Sequence, residues 1–304
     1  MGPLTGVSAR CTLPGMRRPH PPREASSAIV LSGAVAALMA VASAGGLFLD
    51  GLYRDNLWVT TQLRGNDLVT LAVAAPALAV GMYLSARGSV RGELVWVSML
   101  AYALYNYAFY LFGASFNVFF LLYAALVSLP VFAGVAALRR LDVEGLARRF
   151  SPRTPVRAIG GWLLFVAVGL GAVWIAMTLR FVFAGVLPPV IEQAGSHTSI
   201  VFALDLSLLV PAMALGGVWL WQRRPWGYVL GTVMAVKGAT YTLALAAMAV
   251  FAGRAGVPGS WELLPLWAGL SAVTGVAAGL LLAGAGPPPG VPGLLDPRRV
   301  PRLT

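Results

Sequence analysis

Two ionisable residues stand inside apolar sequence: Asp205 in FALDLSLLVP and Lys237 in VMAVKGATY. A charge in a membrane helix costs about 2.5–3.5 kcal/mol on insertion scales, so each requires a reason. Structural glue seldom needs a formal charge, which points to Asp205 as the charge of a binding pocket and Lys237 as a deeper counter-charge. Asp205 lies five residues into its apolar run, about 8 Å below the outer end at about 1.5 Å per residue. Lys237 falls near the bilayer middle, so the two meet directly only if their helices are shifted or kinked. Asn106, at a depth similar to Asp205, and Tyr241, one turn from Lys237 on the same face, are the expected hydrogen-bonding partners. Asn106 belongs to a polar run with Tyr102, Tyr105, Tyr107 and Tyr110, and Thr240 and Thr242 flank Tyr241. Taken singly, such Tyr and Thr residues read as interhelical hydrogen bonds worth about 0.6 kcal/mol each.

Two polar stretches lie between apolar runs. Asp50 to Asp67 reads DGLYRDNLWVTTQLRGND, and its length suits an interfacial helix with some of Leu52, Leu57, Val59 and Leu63 facing lipid. The second carries Arg180, Pro188, Pro189, Glu192, Gln193, His197, Thr198 and Ser199. Thr198 shares a face with Asp205 if the helix starts that early. Together the two loops are placed to roof a polar pocket that opens outward above Asp205 and Asn106, with His197 at its rim. Solvated loops without a ligand are the competing reading.

Other chemistries find little here. Haem and multinuclear metal sites need His or Cys ligands, and the chain has only His20, His197 and Cys11. No HExxH, GxSxG, Walker A or dinucleotide-binding glycine pattern in its proper setting is present, so no cofactor or metal is expected. A Schiff base at Lys237 is disfavoured by the span count and by the lack of an acid in the third span.

The elements that position these residues follow from composition. The chain of 304 residues is 58% hydrophobic and 11% charged, with mean hydropathy +0.78. A soluble domain carries about 25% charged residues, so this is an integral membrane protein. Spans of about 20 apolar residues are predicted at 28–49, 68–86, 94–113, 117–138, 158–179, 200–222, 227–252 and 264–284. The fold expected is an all-α transmembrane bundle. It comprises a first half at 28–138, a basic loop at 139–157 and a second half at 158–284, between Pro-rich tails at 1–27 and 285–304.

The net charge of +11 invites a nucleic-acid partner, but position decides against it. With the N-terminus inside, 17 of the 22 basic residues fall in inner segments and four, Arg54, Arg64, Arg180 and Arg254, outside. That asymmetry predicts cytoplasmic termini. The abundance of Arg, Ala, Gly, Val and Pro fits a high-GC bacterium, hence its plasma membrane. The N-terminal tail has no apolar core before Ser27 and does not read as a signal peptide.

The halves echo each other. At an offset of 135 residues, Leu71, Pro76, Ala77, Ala79 and Gly81 match Leu206, Pro211, Ala212, Ala214 and Gly216, Met99 matches Met234, and Tyr102 stands opposite Lys237. Tyr107 meets Tyr241 at an offset of 134, and the GVAA sequences at Gly134 and Gly275 are shifted further. A 4+4 parallel duplication is the preferred account. Pro76 and Pro211 are expected to kink their helices. Chance likeness of apolar helices is the alternative.

Over Tyr53–Val69, Tyr102–Phe112 and His197–Pro211 the chain resembles a bacterial family of uncharacterised multi-pass membrane proteins. The resemblance implies a membrane location and carries neither an activity nor a site.

The function expected is binding or translocation of a small solute, ion or lipid group. The partners are the bilayer and a small-molecule or lipid ligand; no oligomeric state is signalled. One alternative is a membrane enzyme on a lipid-linked or quinone-like substrate, with His197, Glu192 or Asp55 as acid or base. Another is a non-catalytic partner or sensor subunit whose loop Arg139–Arg157 lies on anionic lipid.

Overall fold

A computed structural model describes residues 22–286. The expected tails lie outside the described residues, apart from the start of the first helix and Ala285–Gly286; Cys11 and His20 lie outside them too. The elements are α1 (Pro22–Phe48), α2 (Leu57–Val69), α3 (Ala75–Ala86), α4 (Val90–Gly113), α5 (Phe120–Arg139), α6 (Val143–Arg148), α7 (Val156–Ala184), α8 (Pro189–Ala194), α9 (Ile200–Leu204), α10 (Val210–Trp221), α11 (Pro225–Arg254) and α12 (Ser260–Gly284). Eight helical segments are long and apolar enough to cross a membrane. The only extended pairing among the described residues is a bridge between Phe150 and Ala285.

The largest departure from the expected spans is the second. It runs unbroken over Leu57–Ala86, 30 residues, and takes in most of the stretch expected as a surface loop. Asn56 caps it, its side chain accepting from the Val59 N–H at 2.9 Å. Val59 and Leu63 are buried in the bundle, not turned to lipid; Leu57 alone of that pair of turns is well exposed. Asn66 and Asp67 are buried as well. Their polarity lowers the hydropathy of the segment, but inside the bundle their hydrogen bonds are met by other helices. At the sixth span the reverse holds: the helix starts at Ile200, capped by Ser199, so Thr198 lies outside it and shares no helical face with Asp205.

The second and sixth spans each carry a π-turn just before a proline, at Thr70–Ala74 before Pro76 and at Asp205–Leu209 before Pro211. A proline lacks the N–H that would close the preceding turn, and its ring presses on that turn's carbonyl. Widening the turn by one residue relieves the clash and re-aims the side chains. The two π-turns are 135 residues apart. The neighbouring helix contacts keep that offset. A Cβ on Gly81 would approach the Trp96 N of α4 to 2.8 Å, and one on Gly216 the Gly231 N of α11 to 3.3 Å.

The core is built around α4 and α11. Helix α4 packs on α3, α5 and α11; α11 packs on α12, α2, α10 and α4. The outer helices differ between halves. Helix α1 runs along α5 and closes the first half, whereas α7 lies on α10 and α12 on α11. Between α7 and α12, the Trp162 indole N–H donates to Thr274 at 3.1 Å. At the basic end the linker between halves is stitched to the end of α12. Ser151 N–H donates to Gly284 O at 2.9 Å, Gly286 N–H to Arg149 O at 3.1 Å, and Arg91 donates to Ala285 O at 2.9 Å and Ala283 O at 3.2 Å. At the opposite end the two large loops meet where Asn56 Nδ2 donates to Gln193 O at 2.8 Å.

Small residues let the central helices approach closely, as is usual between membrane helices. A Cβ on Gly65 would lie 2.5 Å from backbone atoms of Met248 on α11. Gly65→Ala is therefore expected to push α2 off α11 and cost about 1–3 kcal/mol. Thermal unfolding in detergent measures it, with Gly134→Ala, where a Cβ meets open space, as the neutral control.

Candidate functional site

Helix α4 carries the polar groups on two faces. Tyr102, Asn106 and Tyr110 repeat every four residues and turn to α2, while Tyr105 turns to the second half.

On the second-half face, Tyr105 donates its hydroxyl to Asp205 Oδ1 at 2.5 Å, and the Trp174 indole N–H of α7 donates to Oδ2 at 2.8 Å. Asp205 opens the π-turn and is 3% exposed; Lys237 is equally buried on α11. The Lys237 ammonium lies 3.5 Å from the Tyr105 ring centroid and 4.8 Å from that of Tyr241. These two rings meet edge to face at 5.0 Å. Among the described residues no carboxylate oxygen comes within 4.0 Å of Lys237. Tyr105 thus stands between the two charges, its hydroxyl on the anion and its ring under the cation. A ring face attracts a cation by about 0.5–2 kcal/mol.

The other face of α4 meets a second buried carboxylate. Asp67 accepts from the Tyr53 hydroxyl at Oδ2 and from Tyr110 at Oδ1, the latter at 2.9 Å. Asn66 Nδ2 donates to Asn106 Oδ1 at 2.5 Å and to Tyr110 at 3.2 Å; Tyr102 donates to Asn66 Oδ1 at 3.2 Å and pairs with the Thr70 hydroxyl at 2.8 Å. Tyr53 sits in the loop before α2. Burial first, and the Asp67 charge second, hold its hydroxyl far above the ordinary phenol range, so it remains a donor.

Of the residues singled out from sequence, the structure brings Asp205, Lys237 and Tyr241 together around Tyr105. Asn106 lies next along the chain but faces the Asp67 group, with its own Nδ2 buried and unpartnered. His197 is exposed in the loop between α8 and α9, and Glu192 is exposed on α8. Asp55 accepts from Ser115 N and Oγ, both at 2.9 Å, in the loop before α2. Sequence reasoning missed Trp174, Asn66 and Asp67. The signals were present: an indole N–H amid apolar residues needs an acceptor, and four tyrosines on one helix imply acceptors facing them. Among the described residues no three His, Cys, Asp or Glu side chains gather in a way that could hold a metal ion.

Two open depressions lie at the basic end. One, of about 280 Å³, is lined by Arg87, Arg91 and Arg149. The other, of about 300 Å³, lies between Glu144, Trp219, Arg224 and Trp226.

No protein-family model, curated protein or solved structure matches this chain.

Removing the Tyr105 hydroxyl leaves the ring under Lys237 but strips Asp205 of a donor. Tyr105→Phe is expected to cost about 1–3 kcal/mol, and Tyr105→Leu more, because Lys237 then loses its ring as well. Equal losses in detergent unfolding would show that the ring adds nothing.

Proposed function

We propose that this multi-pass membrane protein binds or translocates a small solute, ion or lipid group at the Asp205–Tyr105–Lys237 assembly between its halves. One observation carries this reading: two opposite charges are buried a side chain apart and held off each other by an aromatic ring. A purely structural pair would close, since breaking up a buried ion pair is strongly destabilising. Held open, each charge keeps capacity for a polar group, and the tyrosine and tryptophan faces suit its apolar part. Trp174 is partly exposed on α7, which supports entry from the side of that helix.

The paired π-turns and matched glycine contacts support a parallel 4+4 duplication. In that register Thr70 and Tyr102, hydrogen-bonded in the first half, stand where Asp205 and Lys237 stand in the second. The second half thus carries charge where the first carries a neutral pair. The arginine asymmetry supports cytoplasmic termini in a bacterial plasma membrane. A sensor or partner subunit is the second reading, favoured by the hydrogen-bonded polar network of the first half and by the arginine-lined cavity at the basic end.

Two measurements test this. A thermal-shift screen of amino acids, small organic ions and short-chain lipids in detergent is expected to find a ligand that stabilises the wild type, by about 2.7 kcal/mol at 100 times its Kd. Asp205→Asn and Lys237→Met are expected to stay folded and lose that shift; a shift retained in both defeats the reading. For topology, the natural Cys11 is expected to react with an impermeant maleimide only after membrane permeabilisation. Ser196→Cys in a Cys11→Ser background is expected to react from outside in intact cells.

A further inference from the structure

Asp67 is a carboxylate with no part in the Asp205–Lys237 assembly, and its surroundings are unusual for a charge. It is 1% exposed. Tyr53 faces it from the preceding loop, Tyr102, Tyr107 and Tyr110 from α4, Tyr123 from α5, Ser43 from α1 and Arg64 from its own helix. Arg64 is the one cation in this set, and it lies 3.9 Å from Asp50, not on Asp67. Room for the carboxylate is made by Gly46 of α1, where any Cβ would collide with Asp67 Oδ2 and the Tyr53 hydroxyl.

The hydroxyl of Tyr110 has one proton and three neighbours. Asn66 Nδ2 at 3.2 Å can only donate to it, and the Leu63 carbonyl at 3.0 Å can only accept. The third neighbour, Asp67 Oδ1 at 2.9 Å, does either according to its protonation. With Asp67 ionised, Tyr110 gives its proton to Oδ1. With Asp67 neutral, Oδ1–H donates to Tyr110, which turns its proton to the Leu63 carbonyl. Both arrangements keep every group hydrogen-bonded, and they differ by rotation of one hydroxyl with no movement of the backbone.

We propose that Asp67 is a proton-binding site open to the end of the bundle away from the basic inter-half linker, where its Oδ2 partner Tyr53 is partly exposed. The carboxylate gains one O–H bond and loses its charge; the proton comes from water and returns to it. The neutral form removes the cost of an ionised carboxylate that has no cation on it, and the ionised form is held by two phenol donors. Nothing in this inference depends on what binds at Asp205 and Lys237.

Infrared difference spectra of the purified full chain in lipid nanodiscs, between acidic and alkaline buffer, test the proposal. The wild type is expected to show a protonated-carboxyl C=O band that vanishes as pH rises. Asp67→Asn, which reproduces the shape and donor of the neutral acid, is expected to fold and to lack that band, whereas Asp205→Asn retains it. Tyr110→Phe, which deprives the neutral acid of its acceptor, is expected to shift the frequency of the band and serves if Asp67→Asn does not fold. A band that survives Asp67→Asn, or that Tyr110→Phe leaves unmoved, overturns the proposal. So does a sodium-dependent rise in melting temperature at fixed pH that Asp67→Asn abolishes, because it makes Asp67 a cation site.

Discussion

Buried carboxylates in this bundle are held by phenol hydroxyls, and the arrangement of the helices depends on that interaction. Asp205 takes Tyr105, Asp67 takes Tyr53 and Tyr110, and neither has a cation within 4.0 Å among the described residues. Hydrogen bonds to a charged acceptor are roughly twice as strong as neutral ones, and an apolar interior leaves the carboxylate no water to turn to. The donors must therefore come from neighbouring helices, at fixed heights. Helix α4 meets this need on both faces, which accounts for its central place and for its being the most buried span.

A consequence is a division of labour between halves. In the first, the polar groups of α2 and α4 form a continuous network running from Tyr53 to Thr70. In the second, the two ionisable groups Asp205 and Lys237 stand apart, and aromatic rings take the place of hydrogen bonds around Lys237. The first network fixes α4; Tyr105, carried on its other face, then meets Asp205 at a defined height. The π-turns contribute here, since Thr70 and Asp205 each open one and each receives a tyrosine from α4.

Much of the architecture was readable in the sequence because a span announces itself by length and apolarity, and seven of the eight spans lie within a few residues of their expected ends or extend them by a turn or two. The second span was half hidden. Its outer turns carry Gln62, Arg64, Asn66 and Asp67, and a hydropathy average cannot tell polar groups facing water from polar groups satisfied by another helix. The same limit concealed Asp67. Asp205 and Lys237 stood out because apolar residues flank them, and Tyr241 followed from helical spacing. That Tyr105, not Asn106, reaches Asp205 depends on the rotation of α4 about its axis, which four tyrosines distributed over several faces leave open until the packing with α2 is known.

The stitching of the bundle is uneven along its length. At the basic end, the inter-half linker, the start of α4 and the end of α12 are joined by four backbone-directed hydrogen bonds, whereas at the far end the large loops meet through Asn56 and Gln193. Toward that far end the halves are joined instead by bare backbones in contact, Gly65 of α2 against Met248 of α11, a joint that holds by fit and fails by added bulk.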